Sequence, residues 1–76
     1  MNIEYEKALG QNIRRLRMER KLSQEQLAAQ LQVRGCDVTR SALAKIEVGQ
    51  RHIYPDELVL LRELLGITFE DLFVTL

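Results

Sequence analysis

Ser23-Gln-Glu-Gln-Leu-Ala-Ala-Gln-Leu31 and, after a break, Thr39-Arg-Ser-Ala-Leu-Ala-Lys-Ile-Glu-Val-Gly49 decide how this chain folds. Each stretch opens on a hydroxyl residue suited to cap a helix and carries apolar residues at helical spacing. Ser23 can accept from the Gln26 amide while the Gln26 side chain returns to the Ser23 amide, a capping box. Leu27, Ala28 and Leu31 then form one apolar stripe, and the small Ala28 and Ala29 let another helix come close. Thr39 caps the second helix, with Leu43 and Ile46 facing inward at i and i+3. Gly35 and Gly49 are the expected stops, because glycine takes the left-handed conformation that ends a helix.

Working outward, residues from about Tyr5 to Arg20 carry Leu9, Ile13 and Leu16 at spacings of four and three. That predicts an amphipathic helix with Arg14, Arg15, Arg17, Arg20 and Lys21 on its other face. Gly10 costs about 1 kcal/mol relative to Ala inside a helix, so the helix is expected to start near it or fray there. Beyond Gly49, Tyr54-Pro55-Asp56-Glu57 opens a fourth helix with Pro at its first position and acids in its first turn. Leu58, Leu61 and Leu65 are its expected core stripe, and Gly66 its end. Thr68 caps a short fifth helix carrying Phe69, Leu72 and Phe73. Nothing alternates as a strand would, so the expected fold is all-α with five helices.

A chain of 76 residues is expected to form one domain, residues 1–76, burying about 60–65% of its unfolded surface. Cys36 is the only cysteine, which rules out an internal disulfide and suits a reduced thiol. With His52 the only histidine there are too few ligands for a zinc site, so no metal is expected. The chain has no glycine-rich phosphate loop, and five short helices leave little concave volume. Catalysis, a cofactor and a small-molecule ligand are therefore not expected. No run approaches the roughly 20 apolar residues of a membrane span, and the N-terminus lacks a signal-peptide pattern, so a cytoplasmic protein with no membrane partner is expected.

The net charge is zero, but its distribution is lopsided. From Met1 to Arg51 there are 10 basic against 6 acidic residues, a balance of +4; from His52 to Leu76 there is 1 against 5, a balance of −4. Local field, not the average, attracts a polyanion. On the helix after Thr39, inward Leu43 and Ile46 leave Arg40, Ser41, Ala44 and Lys45 to project outward. Arg and Lys donate to O6 and N7 of guanine, Ser reaches a base or a phosphate, and a small Ala can touch a thymine methyl. The same residues also suit an ordinary solvated helix face. Arg14 and Arg17 of the first helix, with Gln50, Arg51 and His52 after the third, are candidate phosphate partners, which fix register without reading sequence.

Four segments together carry a family resemblance: Gly10-Gln-Asn-Ile-Arg-Arg-Leu-Arg17, Leu22-Ser-Gln-Glu-Gln-Leu-Ala28, Ser41-Ala-Leu-Ala-Lys-Ile-Glu-Val-Gly49 and Leu65-Gly-Ile-Thr-Phe-Glu-Asp-Leu-Phe73. In this order and spacing the chain resembles the phage-repressor and Cro type of helix-turn-helix domain, the XRE family, from about Gly10 to Phe73. The resemblance implies a lambda-repressor-like five-helix bundle, its helix-turn-helix at about residues 23–49, and a sequence-specific regulator of transcription that binds double-stranded DNA through the major groove. It implies base reading by Arg40, Ser41 and Lys45, with Ala44 beside them. Gln24 matches a position that contacts phosphate and braces the recognition helix, and Thr39 a cap that also touches the DNA. Arg17 and Glu47 match a charged pair that ties helix one to the end of helix three.

The chain departs from that pattern between Leu31 and Thr39, where about five residues, Arg34 to Val38, are extra. Either helix two runs on before Gly35, or a longer loop stands at the DNA edge with Arg34 exposed. One recognition helix covers only a few base pairs, so a repressor acting as a homodimer on a pseudo-palindromic operator is expected. Phe69, Leu72, Phe73, Val74 and Leu76 suit either a contact between two copies or closure of the core. The rival reading is a protein-interaction module, an antitoxin-like or anti-regulator partner using the acidic fourth and fifth helices.

Overall fold

The structure, a computed structural model, describes residues 3–73. Those residues form five α-helices and no strand: α1 Ile3–Glu19, α2 Gln24–Val33, α3 Arg40–Glu47, α4 Pro55–Leu65 and α5 Phe69–Leu72. The starts follow from local chemistry. Ser23 Oγ accepts from the Gln26 amide at 3.0 Å and Gln26 Oε1 from the Ser23 amide at 2.8 Å. Thr39 Oγ1 accepts from the Ala42 amide at 3.1 Å, and Thr68 and Asp71 cap each other reciprocally. At α4, Pro55 needs no amide partner, and Glu57 Oε1 accepts from the Tyr54 amide at 3.0 Å.

The ends of the four longer helices share one device. Two backbone amides beyond the last turn fold back onto carbonyls inside it, as Gly35 does to Gln32 and Cys36 to Leu31. The residue at the reversal has positive φ: Gly35, Gly49 and Gly66, but Lys21 at the end of α1 (φ 57°). A side chain there costs about 1–2 kcal/mol relative to the right-handed region.

The core is built from Ile13 and Leu16 of α1, Leu27, Ala28 and Leu31 of α2, Leu43 and Ile46 of α3, Leu61 and Leu65 of α4, and Leu72 of α5. α3 packs against both α1 and α2, α2 also meets α4, and α1 meets α5. Asn12, buried in α1, donates to the Leu72 carbonyl at 2.9 Å and so fastens α5. Leu9 and Leu58 lie at the core margin, only partly buried. Phe69 and Phe73 are exposed, so of the expected α5 apolar set within the described residues only Leu72 closes the core. Val74 and Leu76 lie outside the described residues.

One expectation needs correction, and one open alternative is decided. α1 does not begin or fray at Gly10; it starts at Ile3 and runs straight through. The glycine is there because a Cβ would lie 2.2 Å from the Ile46 carbonyl oxygen, so α1 and α3 approach backbone to backbone. Of the two alternatives for the extra segment after Leu31, the first holds: helix two runs on, and no open loop stands at the edge, although Arg34 is exposed. Helix two runs to Val33, Gly35 reverses the chain, and Cys36 and Val38 turn into the core, Val38 with no exposure at all. Arg34 reaches Glu63 of α4 at 2.6 Å, and Gln32 Nε2 donates to the Val38 carbonyl at 3.2 Å. The connection is thus pinned at both ends, which delivers Thr39 to the start of α3 in a fixed place.

Candidate nucleic-acid interface

α3 is held from its inner side by apolar packing and by one buried carboxylate. Glu47, its last residue, is 1% exposed and accepts three hydrogen bonds: from Arg17 Nε at 2.7 Å, from Arg17 Nη2 at 3.0 Å and from Gln24 Nε2 at 3.0 Å. A negative charge at a helix C-terminus opposes the helix dipole, and the bidentate guanidinium offsets that. Arg17 spends its remaining terminal nitrogen on the Leu22 carbonyl at 2.8 Å. One network therefore joins α1, the α1–α2 turn, the start of α2 and the end of α3. Arg17 is buried, with three of its five N–H donors turned to Glu47 and the Leu22 carbonyl, so it serves position before phosphate, while Gln24 sits half-buried with one amide N–H on Glu47.

The outer face of α3 is different in kind. Arg40, Ser41 and Lys45 are exposed and Ala44 is half-buried between them. Among the described residues neither Arg40 nor Lys45 forms a salt bridge, so their charge is available to a ligand. Thr39 is exposed at the N-cap, its hydroxyl oxygen accepting from the Ala42 amide. Between the start of α2, α1 and the start of α3 lies a polar crevice lined by Arg14, Arg17, Ser23, Gln24, Glu25 and Arg40. It brings Arg14, Gln24 and Arg40, distant in sequence, to one place. Two exposed guanidinium groups above a helix N-terminus make a surface suited to phosphate oxygens.

The turn after α3 is less open to DNA than the sequence suggests. Gln50 is exposed, with its amide bonded to the Lys45 carbonyl at 2.8 Å. Arg51 is half-buried, pairs with both oxygens of Glu57 at 3.0 and 3.1 Å, and lies 5.8 Å from the Tyr54 ring centroid. His52 is exposed but bonds through Nδ1 to Glu6 of α1. Burial pushes the Glu57 carboxyl up, yet the bonds from Arg51 and the Tyr54 amide outweigh it and hold the group below its ordinary range. The sequence offered a signal for the Arg51 partner, since Glu57 stands at the third position of α4; nothing local points from His52 to Glu6.

The charge of Cys36 is decided by burial first and by nearby Glu57, Asp56 and Asp37 next, which together raise its thiol above the usual range. It is a core residue in this fold. Among the described residues no helix is long and apolar enough to cross a membrane.

Comparison with known proteins bears on the family and the fold. A family model described as helix-turn-helix matches residues 13–72. No curated protein matches. Among solved structures the chain is similar to one described as the crystal structure of the DNA-binding domain of BldD, with a TM-score of 0.81 and 26% identity over 97% of this chain and 100% of that one.

Proposed function

The chain belongs to the helix-turn-helix family, its match spanning residues 13–72, and from that premise we propose that it is a sequence-specific DNA-binding regulator of transcription that acts as a repressor. The observation that carries this reading is the contrast between the two faces of α3. The inner face is fixed by Leu43, Ile46 and the Glu47 network, while Arg40 and Lys45 stand outward without salt bridges among the described residues. The similarity to the DNA-binding domain of BldD supports it.

In this reading Arg40, Ser41 and Lys45 meet base edges, with Ala44 close to the groove floor. Thr39, Arg14, Gln24 and Gln50 contact the backbone and set register. Arg51 and His52 contribute less, because Glu57 and Glu6 already engage them. Two copies on a pseudo-palindromic site in the cytoplasm would place two recognition helices about 34 Å apart, one turn of the duplex. The paired charges at the turn after α3 are what a protein-interaction module would show, but they stop short of α3 itself.

The test is selection of bound sequences from a random DNA pool at two salt concentrations. An enriched half-site that persists at the higher salt is expected; binding that shows no preferred sequence and vanishes with salt refutes the reading. Arg40→Ala or Lys45→Ala should cost about 1–3 kcal/mol on the selected site and relax preference at one position, while Gln24→Ala weakens all sequences alike.

A further inference from the structure

Lys7, Gln11 and Arg14 occupy one face of α1 at i, i+4 and i+7, and all three are exposed. Two close approaches fix where that face runs. A Cβ on Gly10 would lie 2.2 Å from the Ile46 oxygen, and one on Gly49 would lie 2.9 Å from the Lys7 Cα. α1 therefore crosses the C-terminal end of α3 almost backbone to backbone, with Lys7 at the turn that follows it. The two helices form an open groove whose walls include Lys7, Gln11, Arg14, Arg15, Met18 and Val48.

The charge in this groove is positive and largely uncompensated. Glu19 faces Arg15 at 3.5 Å, and Glu47 is turned inward to Arg17. Among the described residues neither Lys7 nor Arg14 has a carboxylate within the 4.0 Å of a salt bridge. Arg14 also lines the crevice that holds Arg40, so the groove continues that crevice past the end of α3. On the turn after α3, by contrast, Arg51 and His52 are held by carboxylates.

We propose that Lys7, Gln11 and Arg14 form a strip of phosphate contacts along α1, supplying the backbone grip that Arg51 and His52 do not. The proposal rests on the DNA-binding reading. Lys7 supplies a point charge, Gln11 a neutral amide donor and Arg14 a planar fork that can take two phosphate oxygens. None of them reads sequence, so they should act on all duplexes alike.

The experiment measures binding of the wild-type protein, Lys7→Gln, Arg14→Gln and Gln11→Ala to the selected site and to a random duplex between 50 and 200 mM salt. Each charge variant should lower the slope of log affinity against log salt by about 0.9. Over that fourfold range its affinity then falls about 3.5-fold less than the wild type does. Gln11→Ala should weaken both duplexes with the slope unchanged, and sequence preference should survive in all three. A wild-type slope for Lys7→Gln overturns the proposal and leaves the groove to a partner of another class, such as an acidic peptide, with the DNA-binding reading intact. If the wild-type protein binds neither duplex at 50 mM salt, it is the DNA-binding reading that fails.

Discussion

Gly10→Ala separates two opposite expectations for a single methyl group. Helix propensity alone says that replacing a mid-helix glycine by alanine stabilises by about 0.8–1 kcal/mol. The fold says the reverse, because the new Cβ would meet the Ile46 oxygen at 2.2 Å, with the Glu47 carbonyl carbon and oxygen both at 3.0 Å. Ordinary contact begins near 3.4 Å, so α1 and α3 must separate by about 3.4 − 2.2 = 1.2 Å. The obstacle is backbone, which no rotamer change can clear. The Ile46 oxygen also accepts from the Gly49 amide at 3.1 Å, so moving it disturbs the reversal that ends α3. Overpacking of this kind costs about 1–3 kcal/mol and occasionally more. Because the obstacle is backbone at 2.2 Å, the upper end of that range applies, about 3 kcal/mol; less the propensity gain of about 1 kcal/mol, a net loss of about 2 kcal/mol is expected, which in a domain of this size lowers the melting temperature by about 8–16 °C. Thermal and urea unfolding followed by circular dichroism measure it. A melting temperature equal to or above wild type would refute the close approach of α1 and α3, and with it the placement of Lys7 beside α3.

Glu47→Ala leaves the Arg17 guanidinium buried without its carboxylate and should cost about 3–5 kcal/mol, read by urea unfolding. The double change Arg17→Met with Glu47→Leu should recover most of that loss; an equal loss in the double variant would show that the network contributes net stability rather than position. Lys21→Gly removes the side chain from a left-handed residue and should raise stability by about 0.5–1 kcal/mol after glycine's own entropy cost, a shift that the same unfolding curves would show or deny. Acid sensitivity follows from Glu57 and Asp71, whose folded carboxyls are held below their ordinary values of 4.5 and 3.8. Their stabilisation is present above those values and is lost as pH falls through the lower folded ones. Glu57→Gln should therefore flatten part of the acid limb of stability against pH below about 4.5; an unchanged limb would mean the Arg51 pair does not persist in solution.

Much of the helical layout is legible without tertiary information because its signals are local. Ser23 with Gln26, Thr39 alone, Pro55 with Glu57, and Thr68 with Asp71 each place a helix start through bonds spanning three or four residues. The stripes of Leu27, Ala28 and Leu31, and of Leu43 and Ile46, likewise declare which faces go inward. Gly10 is misleading for the complementary reason: its cause is Ile46, on another helix, so propensity signals a break where the fold requires a close contact. Arg51 and His52 look like free phosphate partners in sequence and are not, since Glu57 and Glu6 become their neighbours only in the folded chain.

By itself the sequence determined the number of helices, the starts of the four after the first, most of their buried stripes, and the resemblance that names a family, because capping bonds and a 3.6-residue period act within a few residues. Tertiary structure decided what the stretch between Leu31 and Thr39 does and which cations stay open. Burial of Cys36 and Val38, the Arg34–Glu63 pair and the Glu47 network arise only when distant segments meet, and they fix where α3 stands and which of its surroundings keep their charge.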